Sequence, residues 1–427
     1  MLNLKHRLWL PKVSQLKCMQ TVVALAVAML LIPAESDAQW PQWGGPNRDF
    51  KSGPVTLSQD WPENGPPVLW RKPLGDANSA ISVDDGMLYT MFRRGDEEVT
   101  TAIMARTGVT VWEHSENVPI WDGLNAGYGP GPHSTPVITG GRVYTVGGKG
   151  LLICLDSTTG KKEWEHDLWK KYGGKPGNRG YASSPMVYGK NLIVQVSGPG
   201  KAVMAFDLQT GDVAWAGGDF KGAYSSPIVI KVDVEEQLIL FVENLVVGMN
   251  PSSGKVLWKH DHETKYKLNI STPIWGKDNL LFVSSAYDTG SRAFHLSRSG
   301  GVTAAKEKWY NRKMQIQHGT AVRLGDTVYG SSGGSGPSFL TAIDVVSGII
   351  AIRQRGFSKA NLIASGNQLV VLDEDGNLAL VTAGKDSFTV KAKAKVLNTR
   401  SWTVPTLVGT TIYLRDREEI VALDLSP

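Results

Sequence analysis

An eleven-residue pattern, A-x-D-x-x-T-G-x-x-x-W, recurs along the chain and constrains its fold more than any other feature. The clearest copy is AFDLQTGDVAW, from Ala205 to Trp215. Others are AIMARTGVTVW ending at Trp112, CLDSTTGKKEW ending at Trp164 and GMNPSSGKVLW ending at Trp258. Each reads as the end of one strand, a tight turn and the start of the next. The glycine takes positive φ without a Cβ clash, and the short Asp and Thr side chains bond turn backbone groups. Degenerate copies end at Trp309, place Ile352 in the tryptophan slot, and surround Gly384; the last breaks off after Ala422-Leu423-Asp424. From Trp70 to Trp309 the tryptophans are 42, 52, 51, 43 and 51 residues apart, a period that belongs to solenoids and propellers.

A second element precedes each hairpin: Ser/Thr-Pro, a short strand and a polar turn. Examples are STPVITGGRVYTV from Ser134, SSPMVYGKNLIVQV from Ser183, SSPIVI from Ser225 and STPIWGKDNLLFV from Ser271. Four short antiparallel strands at this period make a propeller blade, and no stretch beyond the leader sustains helical apolar periodicity. The expected fold is all-β, an eight-bladed β-propeller of four-stranded antiparallel blades over residues 68–427. The last blade lacks an outer strand, while PPVLWRKPL around Trp70 is an outer strand with no blade before it. The N-terminal strand around Trp70 therefore completes the C-terminal blade and closes the ring, removing the exposed edges of a linear array.

The repeat resembles the tryptophan-docking motif of the pyrroloquinoline quinone (PQQ) propeller superfamily. That superfamily includes quinoprotein alcohol dehydrogenases and the propeller lipoprotein of the outer-membrane barrel assembly machinery. The stretch QWPQWGGPNRDF from Gln39 is similar to the opening of PQQ-like repeat proteins of environmental bacteria. The resemblance implies that Trp70, Trp112, Trp164, Trp215, Trp258 and Trp309 are docking residues between blades. It also makes PQQ with calcium the possible cofactors of a dehydrogenase. The family's enzymes hold the quinone between a tryptophan floor and, in many members, a disulfide of adjacent cysteines. They also use a calcium ion bound by Glu, Asn and Asp, and an Asp base. Neither the disulfide nor the calcium set is matched by residues of this sequence. The fold hosts enzymes and scaffolds alike, so function must be argued from a site.

Residues 1–38 read as a secretory signal peptide: Lys5, Arg7, Lys12 and Lys17, the apolar run TVVALAVAMLLI, then Ser36-Asp37-Ala38 before a cleavage point at Gln39. The expected location is periplasmic or secreted, with no integral membrane segment after cleavage. Cys18 lies before the apolar run, which does not fit a lipoprotein attachment site, and this counts against a barrel-assembly accessory. Cys154, in the alanine slot of the motif, reads as a small core residue. The formal net charge of +5 is small for this length and gives no case for nucleic acid. Residues 39–67, with Trp40, Trp43 and Trp61, read as an irregular strap across the ring whose aromatics pack.

The turns inside the repeats are short on one face. Connections on the other are long and glycine-rich: Leu124 to Ser134, Lys170 to Ser183, Ser285 to Ala293 and Ser331 to Phe339. In rigid repeat scaffolds function concentrates on such a face. Residues just before each inner strand should converge there on the channel mouth. They are Asn78, His133, Arg179 with Tyr181, Tyr224, Asn269, His318, Lys359 with Asn361, and Arg400 with Trp402. Such a funnel suits an anionic or polyhydroxylated ligand; alternatively these groups cap the ring and bond loop backbone. The first functional expectation is a binding module for a small ligand, glycan or protein, acting as a monomer. A quinoprotein dehydrogenase and an outer-membrane assembly accessory are the alternatives. No metal site stands out: His260-Asp261-His262-Glu263 reads as surface polarity, Gly147-Gly148-Lys149-Gly150 as turn chemistry, and Asp373 to Asn377 as an incomplete calcium loop.

Overall fold

The computed structural model describes residues 39–427 apart from Ser335 and Lys385, so the proposed leader lies outside the described residues. Eight antiparallel four-stranded sheets follow one another as the blades of a propeller. Seven are continuous in sequence, spanning residues 82–117, 137–167, 186–217, 228–261, 274–311, 321–354 and 360–395. The eighth is assembled from both ends of the chain: Val68–Pro73 is the outer strand beside Glu419–Asp424, with Trp70 opposite Ala422. The ring is closed as its sequence requires.

The recurring residues each have a mechanical task. The indole of one blade lies on the turn glycine of the next and donates to a carbonyl there: Trp70 Nε1 to Ala105 O at 2.8 Å, Trp112 to Ser157 O at 2.9 Å, Trp215 to Pro251 O at 3.1 Å. Gly211 needs its φ of +73°, but it is also the seat for Trp164: a Cβ there would lie 2.8 Å from the ring. The motif aspartate caps the turn, Asp207 Oδ1 accepting from Gln209 N and Thr210 N, and these bonds hold its carboxyl below the usual range. Trp258 departs from the pattern. The next blade's hairpin is extended, Gly290–Ser299 and Val302–Asn311, and offers no glycine seat. Trp258 turns onto its own blade and donates to Gln237 Oε1 at 2.8 Å, over Gly248.

Gly211→Ala therefore meets two obstacles, and Gly140→Ala only one, because Gly140 has φ +58° but a Cβ added there would meet open space. The first change is expected to cost about 1–3 kcal/mol of packing strain beyond the backbone term shared by both. Calorimetric melting of the two variants checks this; equal losses would remove the seat from the explanation.

The Ser/Thr-Pro elements form a second ring around the channel. Thr135 Oγ1 accepts from Ala80 N, Ser184 Oγ from Thr135 N and Ser226 Oγ from Ser184 N, at 3.0–3.1 Å. Thr406 Oγ1 of the last blade donates to Ile81 O of the first at 2.7 Å. Each hydroxyl thus satisfies a backbone group that would otherwise be buried without a partner.

The N-terminal segment does more than cross the ring. Trp40 exchanges backbone bonds with Val83, and Pro41 O accepts from Ile138 N. Arg48 Nε donates to Pro227 O and its Nη1 to Pro185 O, while Trp43 Nε1 reaches Thr272 Oγ1 at 2.9 Å. Lys51–Ser52 then adds a fifth, parallel strand inside the seventh blade, beside Ala360–Ser365. The start of the described chain is thereby bonded to the channel side of six blades. It leaves past Leu425, whose carbonyl accepts from Ser58 N, and reaches Val68 on the perimeter.

Candidate functional site

The long connections surround a cavity of about 1410 Å³ on their face of the propeller. Asn78, His133, Arg179, Tyr181, Tyr224, His318, Lys359, Arg400 and Trp402 line it. Asn269 and Asn361 do not. Asn269 is fully buried and bonds Val242 O and the Ser285 hydroxyl. Asn361 lies inside the strand Ala360–Ser365 and is buried there; its Nδ2 donates to Trp402 O at 2.8 Å.

Two neighbouring loops build one wall. Asn125 caps a short 3₁₀ turn, Ala126–Tyr128, which carries Tyr128 over the mouth. Tyr128 stacks on Trp402 from across the eighth and first blades, with centroids 5.7 Å apart and planes 23° apart. The Arg179 guanidinium covers the Tyr128 ring at 3.4 Å, Arg400 covers Trp402 at 5.0 Å, and His318 packs on Trp402 at 4.8 Å. The opposite wall holds Tyr266 and Tyr287, packed edge to face at 5.0 Å. Trp43 belongs to the lining as well, so the chain's own N-terminal segment contributes an indole to the cavity.

Sequence reasoning did not place Trp43, Tyr128, Gln195, Tyr287 or Gln317 at this site. Tyr128 and Tyr287 sit within the long glycine-rich loops, which is a usable signal. Trp43 gave none, because its path depends on Arg48 bonding main-chain carbonyls of Pro185 and Pro227.

Charge in the cavity is mostly positive. Lys175, Arg179, Lys221, Lys267, Lys359 and Arg400 line it against Asp219 and Glu243. Glu243 is paired with Lys267 at 3.7 Å. Among the described residues Arg179, Lys359 and Arg400 have no carboxylate partner. Cations left unpaired in a concave wall focus a field that draws anions.

The two cavity histidines are neutral at physiological pH. Burial lowers His133 to about 4, and burial with Lys359 and Arg400 nearby lowers His318 to about 3. In the unfolded chain both titrate near 6.5. Between that value and the folded ones the unfolded state binds more protons, so acidification favours unfolding. The stabilisation is complete above pH ~6.5 and is lost downward, by about 2 kcal/mol for each such histidine at pH 5. His318→Gln is expected to flatten the dependence of melting temperature on pH between 6.5 and 5. An unchanged slope would mean that His318 titrates in the fold as it does in the unfolded chain.

The remaining motifs resolve as structure. His262 is not surface polarity: it is fully buried and bonds the Ser285 hydroxyl at 3.1 Å, with burial lowering it to about 3. Gly148 N donates to both oxygens of Glu98 in the preceding blade. Asp373 Oδ1 caps its own turn at Asp375 N and Asn377 N. Cys154 is a buried free thiol whose pKa is pushed up to about 12 by burial first and by Glu163. The donor set suits calcium and quinone poorly. The cavity's two carboxylates are Asp219 and the paired Glu243, and no group of three His, Cys, Asp or Glu gathers among the described residues. A buried lone cysteine cannot supply a disulfide of neighbours.

Comparison with known proteins places this geometry. A family model described as outer membrane protein assembly factor BamB matches residues 95–348. BamB of Yersinia pestis is 25% identical over 300 residues, covering 67% of this chain and 72% of that protein. The quinoprotein alcohol dehydrogenase PedE of Pseudomonas putida is 33% identical over 134 residues, but these cover only 18% of its length. Among solved structures, the quinohemoprotein alcohol dehydrogenase of Comamonas testosteroni aligns with a TM-score of 0.65 at 15% identity, covering 91% of this chain and 80% of that one. BamB of Moraxella catarrhalis aligns at 0.58 and 14%, covering 84% and 97%. Likeness at such identities establishes the fold alone.

Proposed function

The chain belongs to the PQQ-like propeller family whose model is described as outer membrane protein assembly factor BamB, and from that premise we propose that it is an exported binding module whose working site is the long-loop funnel. The observation that carries the reading is the set of unpaired cations Arg179, Lys359 and Arg400 around one large aromatic-walled cavity. Leaving three long cationic side chains without carboxylates costs nothing in water, but it is wasteful in a concave wall unless an anion completes it. Export rests on the basic and apolar leader at residues 1–38. No helix among the described residues is long and apolar enough to cross a membrane.

A second reading is an accessory of outer-membrane protein assembly, favoured by the names of the family and of the relatives that cover two thirds of this chain. On that reading the same loops hold a protein. Dehydrogenase activity is the weaker alternative, because the carboxylates that its calcium would need are not gathered.

Native mass spectrometry of the protein purified from the cells that make it separates these readings. The funnel reading expects a bound small molecule on the wild type and its loss from an Arg179→Glu, Arg400→Glu double variant. Assembly proteins retained equally by both forms, with no small molecule on either, would support the second reading instead.

A further inference from the structure

We infer that the ligand class of the funnel is an acidic oligosaccharide, a short chain of sugars bearing carboxylates. This rests on the funnel being the binding site, and three independent features narrow the chemistry. The first is size. A cavity of about 1410 Å³ exceeds the ~300–1000 Å³ that holds one drug-sized molecule, so several linked rings fit where a single ring would leave most of the space to water.

The second feature is the polarity of the amide side chains. Asn78 Nδ2 donates to Tyr128 O at 3.3 Å, Gln195 Nε2 to Ser225 O at 2.7 Å and Gln317 Nε2 to the Tyr287 hydroxyl at 2.9 Å. Each amide nitrogen is thus committed to the wall, while Asn78 Oδ1, Gln195 Oε1 and Gln317 Oε1 are shielded from water and have no partner. Buried acceptors without donors are costly, and Asn78, Gln195 and Gln317 all line the cavity. A small rotation of these amides toward the cavity would present their oxygens, and a ligand rich in hydroxyl donors then supplies what is missing. A flat carbonyl-rich aromatic or an inorganic polyphosphate brings acceptors and few donors, and would leave these oxygens unmatched.

The third feature combines charge with ring faces. Arg179, Lys359 and Arg400 provide counter-charges for carboxylates spaced along a chain. Tyr287 and Tyr224 present partly exposed rings, against which the C–H face of a sugar packs while its rim keeps hydrogen bonds. Neutral sugar would use the amides and rings but not the cations; a bare anion would use the cations alone.

Isothermal titration calorimetry of the full exported protein tests the inference with tetra-galacturonate, tetra-mannuronate, cellotetraose, inorganic phosphate and PQQ as probes. At least one uronate tetramer is expected to bind, with cellotetraose about tenfold or more weaker, and with affinity falling as salt rises. Arg400→Gln and Gln317→Leu should each weaken uronate binding by about tenfold, and unchanged melting temperatures show that both variants fold. Equal binding of cellotetraose would overturn the acidic half of the inference. Binding of phosphate or PQQ but of neither uronate would overturn the sugar half and leave the funnel standing. Silence from every probe, together with no small molecule on the native protein, would bring down the funnel reading itself.

Discussion

A chain lacking residues 39–73 is expected to lose cooperative unfolding altogether, whereas one lacking only residues 39–53 should still melt in a single transition at a lower temperature. The longer deletion removes Val68–Pro73, leaving Glu419–Asp424 as an open edge, and takes Trp70 off its seat at Gly108. The last blade then has three strands and no indole reaching the first, so the ring opens where a linear array would be exposed to aggregation. The shorter deletion keeps that closure. It removes the backbone bonds of Trp40 and Pro41 and the reach of Arg48 into the third and fourth blades, and it takes Trp43 from the cavity. Scanning calorimetry of the two truncations distinguishes them. A wild-type transition in the longer one would mean that the N-terminal strand does not hold the ring shut.

Arg415→Met is the point substitution expected to cost most, about 3–5 kcal/mol, the order that follows when several buried acceptors lose a charged donor at about 1–3 kcal/mol each. Arg415 is fully buried at the seam between the eighth and first blades. Its guanidinium donates to Met91 O at 2.8 Å, Gly75 O at 2.9 Å and the Thr90 hydroxyl at 3.0 Å, all in the first blade or the segment before it. Burial lowers its pKa to about 10, which still leaves it charged at neutral pH. Met fills most of the volume and abandons three buried acceptors. Arg417→Met, two residues on, is the control. That side chain is part-exposed and pairs with Asp76, so its loss should cost about 1 kcal/mol or less. Chemical denaturation of both variants gives the comparison; similar costs would show that the seam does not depend on Arg415.

The ring was legible because blade docking repeats one local geometry, and a repeated geometry leaves a repeated residue. Tryptophan on glycine, with aspartate capping the turn, must be written again at each seam. Trp258 shows the limit: its partner is Gln237 in the preceding hairpin, a contact with no fixed spacing in the motif. The path of the N-terminal segment was hidden for a related reason. Arg48 and Pro41 meet main-chain groups, and backbone carbonyls carry no sequence signature. At the funnel, the position before each inner strand was readable and brought nine side chains to the cavity lining. Lys359, just before the strand, stays in the lining, while Asn361 two residues on is buried against Trp402 O, a difference set by tertiary contact that the spacing does not carry. Tyr128 needed the conformation of its loop, set by the Asn125 cap and by glycines on both sides.

The structure of the protein with the molecule it retains from its own cells tests the funnel most directly. Density is expected within the cavity above Trp43, its negative groups against Arg179, Lys359 or Arg400 and its hydroxyls toward Gln317. A retained molecule or partner lying wholly on the short-turn face or the outer strands, with only solvent in the funnel, would contradict it.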